Sequence, residues 1–241
     1  MSTSKLRLFM ILFTFAFILG LALLDYLNID YRNSSYSLII SVVFAGSFFS
    51  IAIYLAFRGM KAQYNQLKKI AKNLNLTYIP PRSSWMIKEQ SHIKGQYLNH
   101  SIQVRLLGSD TDSETAVPEL SISTNVEADI SFIISKAFGF SLGSRSYGPE
   151  IKSLVFKKFL KKFSVRSRYE SSLCKIIDLE AQTQIYAVRD LLKGPIKLKN
   201  KELIYLHDKE LINDNDREQF EKIIVVMGFI ADKINTFAKY G

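Results

Sequence analysis

Cysteine is almost absent from this chain: Cys174 stands alone among 241 residues. No internal disulfide can form, which is what a reducing compartment allows. Histidine is nearly as scarce. His92, His100 and His207 are the only three, and none has another histidine or a cysteine two to five residues away. Zinc spacing is therefore missing. Asp110, Asp112 and Glu114 alternate in a polar stretch, and "NDND" occupies 213–216. Neither run has the glycine and distal glutamate of a calcium loop. Glycine-rich phosphate-loop spacings are also lacking. No metal and no cofactor is expected, and no internal repeat is visible.

Charge is missing from two stretches near the start. Seventeen uncharged residues lie between Arg7 and Asp25, and twenty-five between Arg32 and Arg58. About 20 apolar residues at 1.5 Å each cross a bilayer. The pattern predicts a transmembrane helical hairpin over residues 1–57, with spans about 8–27 and 36–57. Lys5 and Arg7 precede the first span, and Arg58, Lys61, Lys68, Lys69 and Lys72 follow the second. The positive-inside bias then places both termini in the cytoplasm. Neither span carries an ionisable residue, so no ion or proton path is indicated. Ser41, Ala45, Gly46, Ser50, Ala52 and Ala56 are small, a spacing that serves close packing within the hairpin or, alternatively, an oligomer contact.

What remains, 58–241, predicts one cytosolic α+β domain. The chain has 32 basic and 22 acidic residues; three and two of these fall in 1–57, which leaves 29 and 20. A basic domain of this kind suits an anionic lipid surface, an acidic protein partner or nucleic acid. The segment 61–75 reads as a juxtamembrane helix with Tyr64, Leu67, Ile70, Ala71 and Leu74 on one face. "LTYI" is a short strand. "HIKGQYL" and "SIQVRLL" alternate around Asn99-His100 as a hairpin. "ELSISTNV" and "DISFIISKAF" read as strands, and "PIKLKNKELIYLH" as a second hairpin turning at Asn200-Lys201. The basic stretch over 154–168 and "ESSLCKIIDLEAQTQIYAVRDLL" read as helix, with "FSVRS" as an alternative short strand. A long C-terminal helix begins near Asp214/Asp216 and carries Phe220, Ile223, Ile224, Met227, Ile230, Ile234 and Phe237 at helical spacing. Strands followed by helices, without βαβ alternation, predict an antiparallel sheet with packed helices.

The runs "LKKIAKNLNLTYIP", "IKGQYLNHSIQV", "FKKFLKKFSVRS" and "KNKELIYLH", closed by the amphipathic helix, resemble a loose group of uncharacterised bacterial membrane proteins. These share an N-terminal two-helix anchor and a cytosolic domain of unknown function. The resemblance implies a bacterial origin and an anchored α+β domain; with the two spans, the expected placement is multi-pass in the bacterial inner (cytoplasmic) membrane. It carries over no active site.

Two candidate sites follow from the residues. "GFSLG", 139–143, matches the G-x-S-x-G nucleophile elbow, with Ser141 as nucleophile, His207 as base and Asp178 or Asp190 as acid. That fold requires a parallel sheet with crossovers, which the pattern lacks, so the turn reads better as a glycine-rich connection. Cys174 beside Lys175 does not face it on a helix and reads as a small core residue.

The second candidate is "LVFKKFLKKFSVRSR", 154–168. At 100° per residue Phe156, Phe159, Leu160 and Phe163 share one face, and Lys157, Lys158, Lys161 and Lys162 share the other. The phenylalanines are expected in the core. The lysines are expected to meet anionic lipid headgroups or an acidic partner. A lysine-only face without accessible aromatics is a poor nucleic-acid reader. The expected function is a membrane-anchored, non-catalytic binding or scaffold domain, with a membrane-tethered hydrolase as the alternative.

Overall fold

The computed structural model describes Gly46, Tyr54 and residues 58–83, 88–107, 116–127, 130–137 and 144–240. The chain divides into two compact units, Met1–Lys61 and Ala62–Gly241. Of the first, Gly46, Tyr54 and 58–61 are described and are helical.

The expected transmembrane hairpin is corrected. Among the described residues no helix is long and apolar enough to cross a membrane. The multi-pass inner-membrane placement and the α+β class with an N-terminal hairpin, both built on it, are corrected with it. The spans about 8–27 and 36–57, Gly46 and Tyr54 apart, lie outside the described residues. What the chain shows instead is an eight-stranded antiparallel sheet with helices, closed by one long C-terminal helix. That helix has the length to span but not the apolarity. Its exposed face carries Lys222, Asp232 and Lys239, so it lies along the sheet as an amphipathic helix.

The second unit opens with helix α1 (62–73), followed by β1 (Thr77–Ile79). A small separate hairpin pairs β2 (Arg82–Ser83) with β3 (Lys88–Glu89). Next come β4 (His92–Tyr97), β5 (His100–Leu107), β6 (Val117–Ser123) and β7 (Phe132–Lys136). After a 3-10 turn (Ser144–Tyr147) come α2 (Lys157–Leu160) and β8 (Phe163–Ser167). The chain ends with α3 (Glu170–Ile176), α4 (Leu179–Ala187), β9 (Ile196–Lys199), β10 (Glu202–Leu206) and α5 (Asp214–Tyr240). The sheet order is β1-β4-β5-β6-β10-β9-β7-β8, antiparallel throughout.

Period-two alternation decides which face is covered. On β5 His100, Ile102, Val104 and Leu106 are buried, and the residues between them are not. Registered beside them are Leu120 and Ile122 of β6, then Leu203 and Tyr205 of β10, then Leu198 and Ile196 of β9. The helical layer meets this face. Phe220, Ile223, Ile224, Met227, Ile230 and Ile234 of α5 are fully buried. Helices α3 and α4 pack on α5. Helix α1 lies beside it, with Lys69 bonded to Asp214 at 2.6 Å and Asn73 to Glu221 at 2.9 Å.

Two glycines allow close approaches here. Gly228 on α5 lets Leu98 and Tyr97 of the β4–β5 turn lie over the helix; a Cβ there would sit 3.2 Å from Leu98 Cδ1. Gly148 has φ +121° and sits against the Ser167–Arg168 backbone, where a Cβ would meet three atoms at 2.7 Å. Segment 149–151 thereby closes the β8 edge, through Ile151 N–H to Val165 O at 2.8 Å and Ser167 N–H to Pro149 O at 3.3 Å.

Candidate binding surface

The lysine-rich segment is built by three local decisions. Phe156 stands in extended conformation (φ −83°, ψ 91°) at the start of α2. Its N–H donates to Gln182 Oε1 at 2.9 Å, and its ring meets Tyr186 edge-on at 5.2 Å. Gln182 is itself buried and donates to Ile177 O, so α4 holds the entry to α2 in place. One helical turn then seats Phe159, fully buried, against Phe163 with ring centroids 4.9 Å apart. At Lys161–Lys162 the helix ends and the chain becomes β8, which pairs with β7 from Phe163↔Lys136 onward. The helix is thus shorter than its amphipathic pattern predicts. Phe163 reaches the core from a strand, and Phe156 is half-buried instead of buried.

The consequence is a cationic rim. Lys157, Lys158, Lys161 and Lys162 are all exposed, as is Lys136 beside them in the register. Residues 151–169 contain seven lysines and arginines and no acidic residue. None of the four lysines has a carboxylate within ion-pair distance among the described residues. Arg166 and Arg168 reach backbone carbonyls, Gly148 O at 3.4 Å and Ser146 O at 3.3 Å, so their positive charge is not neutralised by those contacts. Val155, at the head of the rim, is 74% exposed.

The hydrolase residues are placed very differently. Ser141 lies outside the described residues. His207 is 2% exposed, follows β10 and packs on Phe220 at 5.2 Å. Its Nδ1 is 2.9 Å from the Tyr205 hydroxyl, which accepts the Lys193 N–H at 2.9 Å. With the phenol proton donated to Nδ1, the neutral ring carries its own proton on Nε2. Burial pushes His207 down to about 4, with Lys209 adding to the shift. Burial likewise pushes Tyr205 up to about 12.

Neither candidate acid touches His207. Asp178 caps α4 by accepting the Ala181 N–H at 2.8 Å and bonds Lys233 at 2.7 Å. Burial alone would raise Asp178, but the Ala181 N–H and the Lys233 ammonium outweigh it and hold the carboxyl below its usual range. Asp190 is exposed beside Arg189. A buried ring whose described partner is a core tyrosine is a packing element, not an accessible base.

The remaining polar groups of interest are also joined to the fold. His100 is buried between Asp232 (2.7 Å from Nε2) and Asn235 (3.2 Å from Nδ1), and Asn235 accepts the Asn125 N–H at 2.7 Å. This chain of bonds ties the β4–β5 hairpin and the end of β6 to α5. His92 sits near Gln90 O at 3.4 Å. Cys174 is half-buried, 3.4 Å from Ser153 Oγ, instead of fully in the core. Among the described residues no group of three metal-ligating side chains converges. A shallow groove of about 470 Å³ is lined by Asp178, Leu179, Glu180, Thr183 and Gln184, and Lys233 already bonds both of its carboxylates.

No signal in the sequence pointed to the carbonyl-bound arginines, since their partners come from the 3-10 turn and from Gly148 just after it. The exposure of Val155 was also missed. A valine preceding "FKKF" reads as part of an apolar run, and only the fixed Phe156 shows that it faces out.

No family model matches the chain, and no curated protein matches it. A solved structure does: the crystal structure of the mycobacterial trehalose monomycolate transport factor A, TtfA. The TM-score is 0.51 at 8% identity, with 73% of this chain and 93% of that chain covered. At this identity the likeness is one of fold.

Proposed function

We propose that the domain is a non-catalytic binding module that docks an acidic partner on the rim formed by Lys157, Lys158, Lys161 and Lys162. The observation that carries this is the absence of compensating charge among the described residues. The lysines sit on a turn whose other side is locked into the core by Phe159 and Phe163, yet no described carboxylate meets them. Like charges held together on a rigid turn repel one another, and an acidic surface relieves that repulsion. The fold neighbour is titled a transport factor, which supports a binding role over a catalytic one. The burial of His207 supports the same choice.

Titration of the full-length chain against labelled poly-L-glutamate tests this. Binding is expected to weaken steeply between about 0.05 and about 0.3 M salt as screening shortens below roughly 10 Å. The Lys157→Gln, Lys158→Gln, Lys161→Gln, Lys162→Gln variant should lose roughly tenfold or more in affinity, at several tenths of a kcal/mol per exposed pair. Equal binding by the variant would refute the assignment.

A further inference from the structure

Resting on that docking surface, we infer that its acidic partner is a protein helix with carboxylates one turn apart and an aliphatic residue beside them. The rim has a fixed geometry. Lys161 N–H bonds Lys157 O, so these two lysines stand one helical turn apart, opposite the buried Phe159. Residues so spaced have Cβ atoms about 5–6 Å apart. Lys158 and Lys162 form a second row with the same sequence spacing, tightened where Lys162 N–H turns to Phe159 O at 2.9 Å. Glutamates at i and i+4 on a partner helix have the same repeat, so two rows of cations can meet one acidic face in register.

Val155 gives the rim its second feature. Leu154 on one side is buried, and Phe156 on the other is fixed by Gln182 and Tyr186. The valine therefore cannot turn inward, and its aliphatic side chain stands exposed at the head of the lysine rows. An aliphatic residue one turn along an acidic helix would cover it. The other polyanions fit less well. Nucleic acid calls for arginine forks and accessible stacking rings; here Phe159 and Phe163 are in the core and the Phe156 ring is taken by Tyr186. An anionic lipid surface attracts lysines but presents no i,i+4 register to match the two rows, and one valine gives it little to insert.

The test uses the full-length chain and synthetic alanine-based helical peptides of about 16 residues, long enough to hold some helix. One peptide carries two glutamate pairs at i,i+4 with a leucine one turn away. A second has the same composition with the glutamates spread around the helix. A third replaces the leucine with serine. The spaced peptide should bind roughly tenfold tighter than the spread one. Val155→Ser should cost about fivefold, the worth of covering one valine, and should cost nothing further against the serine peptide. Val155 is exposed, so this variant leaves the core intact.

Equal binding of spaced and spread peptides, both lost in the four-lysine glutamine variant, would leave the docking surface standing and overturn the helical partner. Undiminished peptide binding by that glutamine variant would overturn both. Tighter binding to phosphatidylglycerol vesicles or single-stranded DNA than to the spaced peptide would also overturn the helical partner.

Discussion

The two sides of the domain treat charge in opposite ways. Along α5 most ionic groups are paired, and several of the pairs reach another element. Lys233 bonds Asp178 and Glu180, each at 2.7 Å; Lys69 bonds Asp214 at 2.6 Å; Lys209 bonds Asp216; His100 meets Asp232 at 2.7 Å. Arg217 lies among Asp214, Glu218 and Glu221. On the α2–β8 rim four lysines stand exposed, and the neighbouring arginines meet carbonyls. The difference separates two uses of charge. Paired groups join α1, α4 and the β10–α5 loop to the long helix. Lysines on a rigid turn that no described carboxylate meets contribute nothing visible to the fold and remain available to a partner.

The sharpest way to break this comparison is to empty the core beneath the rim. Phe159→Ala should destabilise the domain by about 3–5 kcal/mol, read from urea unfolding, because the ring is fully buried against Phe163. An unchanged midpoint would mean that the turn is not anchored.

Acid should act next, and on the paired side. His207 is held down to about 4 by burial, whereas an unfolded histidine titrates near 6.5. Below about pH 6.5 the unfolded chain takes up a proton that the folded chain refuses. Stability is therefore full above that pH and falls toward about pH 4, by roughly 3 kcal/mol in all. Asp178, held low by its cap and Lys233, adds a loss in the same direction at still lower pH. Unfolding free energies across this range should fall for the native sequence, and much less for His207→Gln.

Much of the domain could be seen in the sequence because its elements are patterned one at a time. The β9–β10 hairpin turns at Asn200-Lys201 as the dipeptide suggests, both with positive φ (50° and 66°). The first hairpin turns one residue earlier than expected, at Leu98-Asn99 (φ 49° and 63°). Leu98 accepts that strain where its side chain lies over Gly228, a contact 130 residues away in sequence that no local pattern records. The C-terminal helix lies where its spacing puts it. Its cap, however, is Asn213, whose Oδ1 accepts the Asp216 N–H at 2.9 Å.

Where two elements share one apolar pattern, the sequence is ambiguous. "LVFKKFLKKFSVRSR" has a continuous helical stripe and, within it, the short strand that "FSVRS" offers; β7 supplies the edge that this strand takes. The long helix expected over "ESSLCKIIDLEAQTQIYAVRDLL" breaks at Ile177-Asp178, where Asp178 caps α4. The lysine rim itself was legible, since exposure follows from the phenylalanine spacing. That no described carboxylate meets it was not, because partners come from the sheet order.

Smaller effects sharpen the contrast. Asp178→Ala removes both a helix cap and a Lys233 partner and should cost about 1 kcal/mol, the usual value of a cap. Lys233→Met should cost less, near the upper end for a half-exposed pair, about 1 kcal/mol or below. Thermal or urea unfolding of each variant checks the order, and an effect of Lys233→Met above that of Asp178→Ala would reverse it.

The central claim, that the rim lysines are kept for something other than the fold, is tested most directly by the unfolding free energy of the four-lysine glutamine variant in low salt. Exposed unpaired charges are worth little to stability, and neighbouring lysines repel. The account predicts a stability equal to the native one or higher by a few tenths of a kcal/mol. A loss of about 2 kcal/mol or more, beyond what exposed charges supply, would contradict it and place the lysines among the groups that hold the domain together.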